Sequence, residues 1–161
     1  MQRVLRWTSL VLFGLVALFL IWFGVTYASV TDMLWFHAAA VPEAARDDVR
    51  TLYLALMNLI GGASAALGLL SAFVIAVPMR RGASGAATAL MIVNNIVFVM
   101  AAVTAEELAA ATGSPTSWHI MGVLMAVTLS AYALHVAAGR MHRPRQMNTA
   151  GMPVVGSVSS N

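Results

Sequence analysis

Four histidines, His37, His119, His135 and His142, are the residues best able to do chemistry in this chain. Imidazole titrates near neutral pH and binds metals through either ring nitrogen. His37 and His119, with Asp32, Glu106 and Glu107, border long apolar runs and are expected at one membrane interface. Imidazole with carboxylate oxygens suits zinc, iron or manganese, and the same groups are competent for acid–base catalysis. Asp32, His37, Glu106 and His119 are therefore the candidate ligands of a divalent metal. Their spacing matches no ligand motif, so the alternative is a set of solvated side chains that help fix topology.

His119 and His135 cannot share an ion. Sixteen positions apart on one helix, they differ by about 24 Å of rise and about 160° of rotation. Haem b needs two axial ligands at one depth on facing helices. His135 would need a Met partner, and Met79, one of eleven, lies at a comparable depth without being marked out, which leaves haem b as the other cofactor alternative; the leading expectation is no cofactor. Cysteine is absent, which removes disulfides, thiol nucleophiles and thiolate metal sites. No Walker, dinucleotide, nucleophile-elbow or HExxH pattern is present.

Three amides, Asn58, Asn94 and Asn95, fall inside apolar runs. An unpaired amide in hydrocarbon is costly, so all three are expected to face other helices. They would serve either as packing hydrogen bonds or as the lining of a small-molecule path. No acid or arginine falls in mid-span, which argues against proton-coupled transport.

The elements that must position these residues are helices. Of the 161 residues, 60% are hydrophobic and only 9% charged, against roughly 25% charged in a soluble domain. The fold class expected is an all-α integral membrane protein, a four-transmembrane-helix bundle with short loops. Spans are expected near 7–28, 50–78, 86–108 and 117–139, each long enough for ~30 Å of hydrocarbon. The first is too long an apolar run for a secretory signal peptide. Together they form one domain over 1–143, with a flexible cytoplasmic tail over 144–161. The second and third spans, turned at Met79-Arg80-Arg81-Gly82, are expected to fold back on each other as the central hairpin. The first span, bulky and poor in small residues, is expected to face lipid.

Asn58, Gly61, Ala65, Gly68 and Ala72 step by three or four, a small-residue stripe that admits a neighbouring backbone. Gly122, Ala126, Ser130 and Ala133 form a similar stripe on the fourth span. In the loop 29–49 a short interfacial helix is expected to open at Thr31 or Asp32. Asp47 or Asp48 is expected to cap the second span. Gly113 should stop the third, and Ser114-Pro115 should open the fourth.

Charge orients the bundle. Arg3, Arg6, Arg80, Arg81, Arg140, Arg143 and Arg145 fall on one side without an acid. The other side carries Arg46 and Arg50 with all six acids, so +7 and −4 make the net +3. By the positive-inside rule both termini are cytoplasmic. Arg80, Arg81, Arg140, Arg143 and Arg145 then meet anionic lipid head groups. Arginines beside apolar runs are a topology signal, so nucleic acid is not an expected partner. Arginine without lysine, in an Ala-, Val- and Gly-rich chain, suggests a bacterial coding bias.

The expected function is that of a small bacterial inner-membrane protein, an accessory subunit or self-associating bundle whose partners are lipids, its own copies or another membrane subunit. An outer-face enzyme or metal site and a channel or transporter lined by Asn58, Asn94 and Asn95 are the alternatives. The plan is similar to that of small bacterial membrane families such as the DoxX-like proteins. The likeness is one of plan and brings no residue roles.

Overall fold

An apolar run satisfies its own N–H and C=O groups only as a helix, and long helices dominate here. The computed structural model describes residues 1–83 and 85–141. The expected tail, with His142, Arg143 and Arg145, lies outside the described residues. Helix α1 spans Gln2–Ala28, and the short α2 spans Trp35–Ala38. After a 3-10 turn at Glu43–Ala45, α3 spans Arg46–Val74 and continues as a π-helical turn at Ile75–Met79. Helix α4 spans Ala86–Thr112 and α5 spans His119–Arg140. The described residues are all-helical, with four helices long and apolar enough to cross a membrane.

Helix α1 lies between α3 and α5, and α4 packs on α5. Helices α3 and α4 scarcely meet, although one turn joins them. The expected central hairpin is therefore corrected. Pro78 lacks an N–H, and the helix widens into the π turn around it. Gly82 and Gly85 then reverse the chain at φ 78° and 89°. The small-residue face of α3, the one able to receive a neighbour closely, is already taken by α1.

The expected lipid-facing role of the first span is corrected with it. Helix α1 buries Ser9, Phe13, Val16, Ala17, Leu20 and Gly24, while Trp7, Val11, Leu15, Leu18, Trp22 and Val25 stay exposed. A helix with two neighbours must bury two stripes, and α1 does so. Phe13 packs with Met79, Ala87, Leu90 and Ala131 near one end, and Val16 and Leu20 pack with Phe98 toward the other. Between α1 and α5 the Ser9 hydroxyl donates to the Ala131 carbonyl at 2.8 Å, fully buried.

Helix ends follow the expectations in part. Gly113 stops α4 at φ 67°, its N–H donating to the Ala109 carbonyl. Asp47 and Asp48 lie inside the first turn of α3, behind Ala45. There they meet the positive end of the helix dipole without capping it. Helix α5 opens at Trp118 instead of Ser114, whose hydroxyl is engaged elsewhere, and α2 opens at Leu34 instead of Thr31 or Asp32. The expected small stripe of α5 points away: Ala126, Ser130 and Ala133 are exposed, while Thr128, Ala131 and Ala138 are buried.

Candidate functional site

The acidic residues and two histidines gather at one end of the bundle, but Asp32, His37, Glu106 and His119 each have a different partner. Asp32 pairs with Arg50 at 3.5 Å on the surface. His37 Nδ1 lies 2.9 Å from the Tyr53 hydroxyl. Glu106 accepts the Trp118 N–H at 3.2 Å, which makes it a close neighbour of His119. His119 Nδ1 pairs with the Ser117 hydroxyl, and its ring stacks on Trp118 with centroids 4.6 Å apart. Among the described residues no three His, Asp or Glu side chains are placed to hold a metal ion. The four candidate ligands are not brought together.

What this end builds is a fastened cover. The Arg46 guanidinium donates to the carbonyls of Ala38 and Val41 at 3.1 and 3.3 Å. Arg50 donates to the Thr31 carbonyl at 3.2 Å. The Tyr53 hydroxyl accepts the Leu34 N–H at 3.2 Å, so its own proton is left to donate to His37. From the α4–α5 connection the Ser114 hydroxyl donates to the Phe36 carbonyl at 2.7 Å. Around His37 stand Phe36, Tyr53 and Tyr27, with ring centroids 4.4, 5.6 and 6.4 Å away. Burial in this nest lowers the His37 pKa, since desolvation penalises the imidazolium. From the sequence Tyr53 has no expected role and Ser114 only that of opening the fourth span. The signal for Tyr53 was its register, because positions 46, 50 and 53 share one face of a helix.

The opposite end is the arginine end. One Arg6 nitrogen donates to the carbonyls of Met79 and Arg80, at 3.2 and 3.0 Å. Beside it a cleft of ≈ 350 Å³ is lined by Arg3, Arg6, Trp7, Leu10 and Arg80. A second cleft of ≈ 300 Å³ is lined by Gln2, Arg6, Met79, Gly82, His135, Ala138 and Gly139. His135 and Met79 thus share a cleft, and His135 Nδ1 is buried without a hydrogen-bond partner among the described residues. Arg81 and Arg140 are exposed.

The three amides have three different fates. Asn94 is 1% exposed on the buried face of α4, between Leu90 and Phe98. Among the described residues neither Oδ1 nor Nδ2 of Asn94 has a hydrogen-bond partner. Asn95 is half-buried and donates to the Met91 carbonyl of its own helix at 2.8 Å. Asn58 is exposed, which corrects the expectation that it faces the bundle. Its neighbour Met57 lies on the line through Gly61, Gly68 and Ser71 that α3 buries, and Asn58 stands about 100° off Met57. Gly61, Ala65 and Gly68 do face α1, with Gly61 and Ala65 against Gly24 and Gly68 against Ala17.

No family model, curated protein or solved structure matches this chain.

Proposed function

We propose that this chain is a small bacterial inner-membrane protein that crosses the bilayer four times, with both termini cytoplasmic. It acts without catalysis, as an accessory subunit or a self-associating bundle. The observation that carries the reading is the unclosed side of the bundle. In a closed four-helix ring α3 and α4 would cover each other, whereas here they scarcely touch. Leu69, Leu70 and Phe73 on α3 and Ile92, Ile96 and Met100 on α4 are left bare. A second helix pair fits such a side. The charge asymmetry between the two ends supports the orientation.

The chain has no cysteine, so single cysteines report contacts cleanly. Oxidation of membranes carrying Leu70→Cys or Ile96→Cys should give cross-linked species, and Leu18→Cys on the outward face of α1 should not. A protein that stays monomeric in mild detergent, uncross-linked at both positions and without a co-purifying subunit, would overturn the reading. A reporter fused at the C-terminus should be active only in the cytoplasm.

One observation favours a second reading, a polar solute path: the unpartnered amide of Asn94 at the centre of the bundle. Asn58 and Asn95 do not join it.

A further inference from the structure

We infer that the cleft formed by Arg3, Arg6 and Arg80 is a binding site for the phosphate of an anionic phospholipid. The inference rests on the membrane reading above, though not on the assembly.

The arginine end carries no acid of its own, so its charge favours an outside anion. All six acidic side chains of the chain, Asp32, Glu43, Asp47, Asp48, Glu106 and Glu107, belong to loops and helix turns at the far end. The described residues contain one ion pair, Arg50 with Asp32, also at that end. Three arginines therefore line one cleft, with no carboxylate among its lining residues. All three arginines are exposed, so an anion at the lipid surface can reach them.

The site is built, not merely charged. Arg6 is fixed by its two bonds to the carbonyls of Met79 and Arg80. Both bonds use one terminal nitrogen, leaving Nε and the other terminal nitrogen without a protein acceptor among the described residues. Arg3 lies three positions earlier, on the same face of α1. Arg80 arrives from the turn that Arg6 holds. Guanidinium forks suit phosphate oxygens, because paired parallel N–H groups match their spacing. The same latch that ties α1 to the turn thus pre-positions the donors.

The apolar half of the cleft selects a lipid over a soluble phosphate. Trp7 and Leu10 form its other wall. From Trp7 an exposed stripe continues along α1 through Val11, Leu18, Trp22 and Val25, with Gly14 an open notch in it. A phosphate seated on the arginines would lay its acyl chain along that stripe. Trp7 stands where an interfacial aromatic belongs, at the junction of head group and hydrocarbon. Inorganic phosphate would use none of this surface.

The test is native mass spectrometry of the full chain in nanodiscs of equal phosphatidylglycerol and phosphatidylcholine, at physiological salt. Wild type should retain phosphatidylglycerol over phosphatidylcholine by about tenfold, a preference worth ~1.4 kcal/mol. Arg3→Gln with Arg80→Gln should abolish the preference. Neither side chain makes a hydrogen bond among the described residues, so the fold should survive. Arg140→Gln, exposed and outside the cleft, should leave it unchanged. Equal losses for Arg140→Gln and the double variant would mean diffuse surface attraction and would overturn the site. Displacement of the lipid by millimolar inorganic phosphate would overturn the lipid assignment. Recovery of the chain in the soluble fraction would sink the membrane reading itself, a result distinct from a membrane protein without lipid preference.

Discussion

Gly24 and Gly61 meet backbone to backbone: a methyl group on either would lie 2.6 Å from the carbonyl oxygen of the other. Each glycine is followed four positions later by an alanine, Ala28 and Ala65, and the two small pairs interlock between antiparallel helices. Gly68 repeats the contact against Ala17, whose carbonyl would lie 2.8 Å from its methyl. Where lipid offers no hydrophobic gain for pairing helices, close backbone approach supplies the attraction.

Gly61→Ala should therefore force α1 and α3 apart, at about 1–3 kcal/mol, as overpacking does. Its neighbour is the control. A methyl at Gly62 meets nothing within 4 Å, so Gly62→Ala should be neutral or slightly stabilising. Thermal unfolding in detergent measures both, and equal effects would refute the interlock.

Tyr53→Phe removes the acceptor of the Leu34 N–H and the partner of His37 together. The expected loss is about 1–3 kcal/mol, because a half-buried amide and imidazole are left unpaired. Amide exchange of Leu34 should accelerate first. Unchanged exchange there would show that Arg46, Arg50 and Ser114 hold the loop without Tyr53.

The buried His37 also sets a pH response. An unfolded chain protonates this residue near pH 6.5, whereas the folded chain does so only at lower pH. Folding then excludes a proton, and stability rises with pH wherever the unfolded state binds more protons. The contribution of His37 is full above pH 6.5 and declines as pH falls from there through the folded pKa. The melting temperature of wild type should drop between pH 7 and pH 5 by more than that of His37→Gln. Parallel curves would contradict the assignment.

Ser114→Ala cuts the bond from the α4–α5 connection to the Phe36 carbonyl. A net cost of about 1 kcal/mol is expected, the usual worth of one hydrogen bond. Limited proteolysis in the loop over 29–45 should quicken, while cleavage near Arg80 should not.

Asn94→Leu addresses the unpaired amide directly. If Oδ1 and Nδ2 are unmet, replacing the side chain with a hydrocarbon of similar size should stabilise the bundle by about 1–3 kcal/mol. A loss of stability would mean that the amide is satisfied by water or a solute, and would favour a polar path through the bundle.

Helix existence is legible from apolar length alone, and four helices long and apolar enough to cross a membrane fall in the expected stretches. Neighbour choice is not. The stripe through Gly61, Ala65 and Gly68 was visible, but its partner Gly24 sits alone among bulky residues. Only a contact map distinguishes that hollow from a lipid-facing glycine. Three-residue and four-residue steps both read as one face, which puts Asn58 on the stripe by sequence, but a helix with a single close neighbour buries a narrower line. Gly113 stops α4 as its type implies, but the start of α5 differs for a related reason: Ser114 spends its hydroxyl on Phe36, 78 positions away. At the acidic end proximity was legible and convergence was not, since side-chain direction decides it and Arg50, Tyr53 and Ser117 compete for the same groups.

The bond from Ser9 to Ala131, spanning 122 positions, dictates an order of construction. As the helices emerge from synthesis, α1 and α3 can pair at once, because both glycine faces already exist. Helix α4 has no such berth, since its main neighbour is α5. Until α5 arrives, Phe98 and Leu90 lack the α5 side of their clusters and the Ser9 hydroxyl has no acceptor. The last helix is thus the keystone: a nascent chain stopped at Thr112 would hold one finished pair and one unplaced helix.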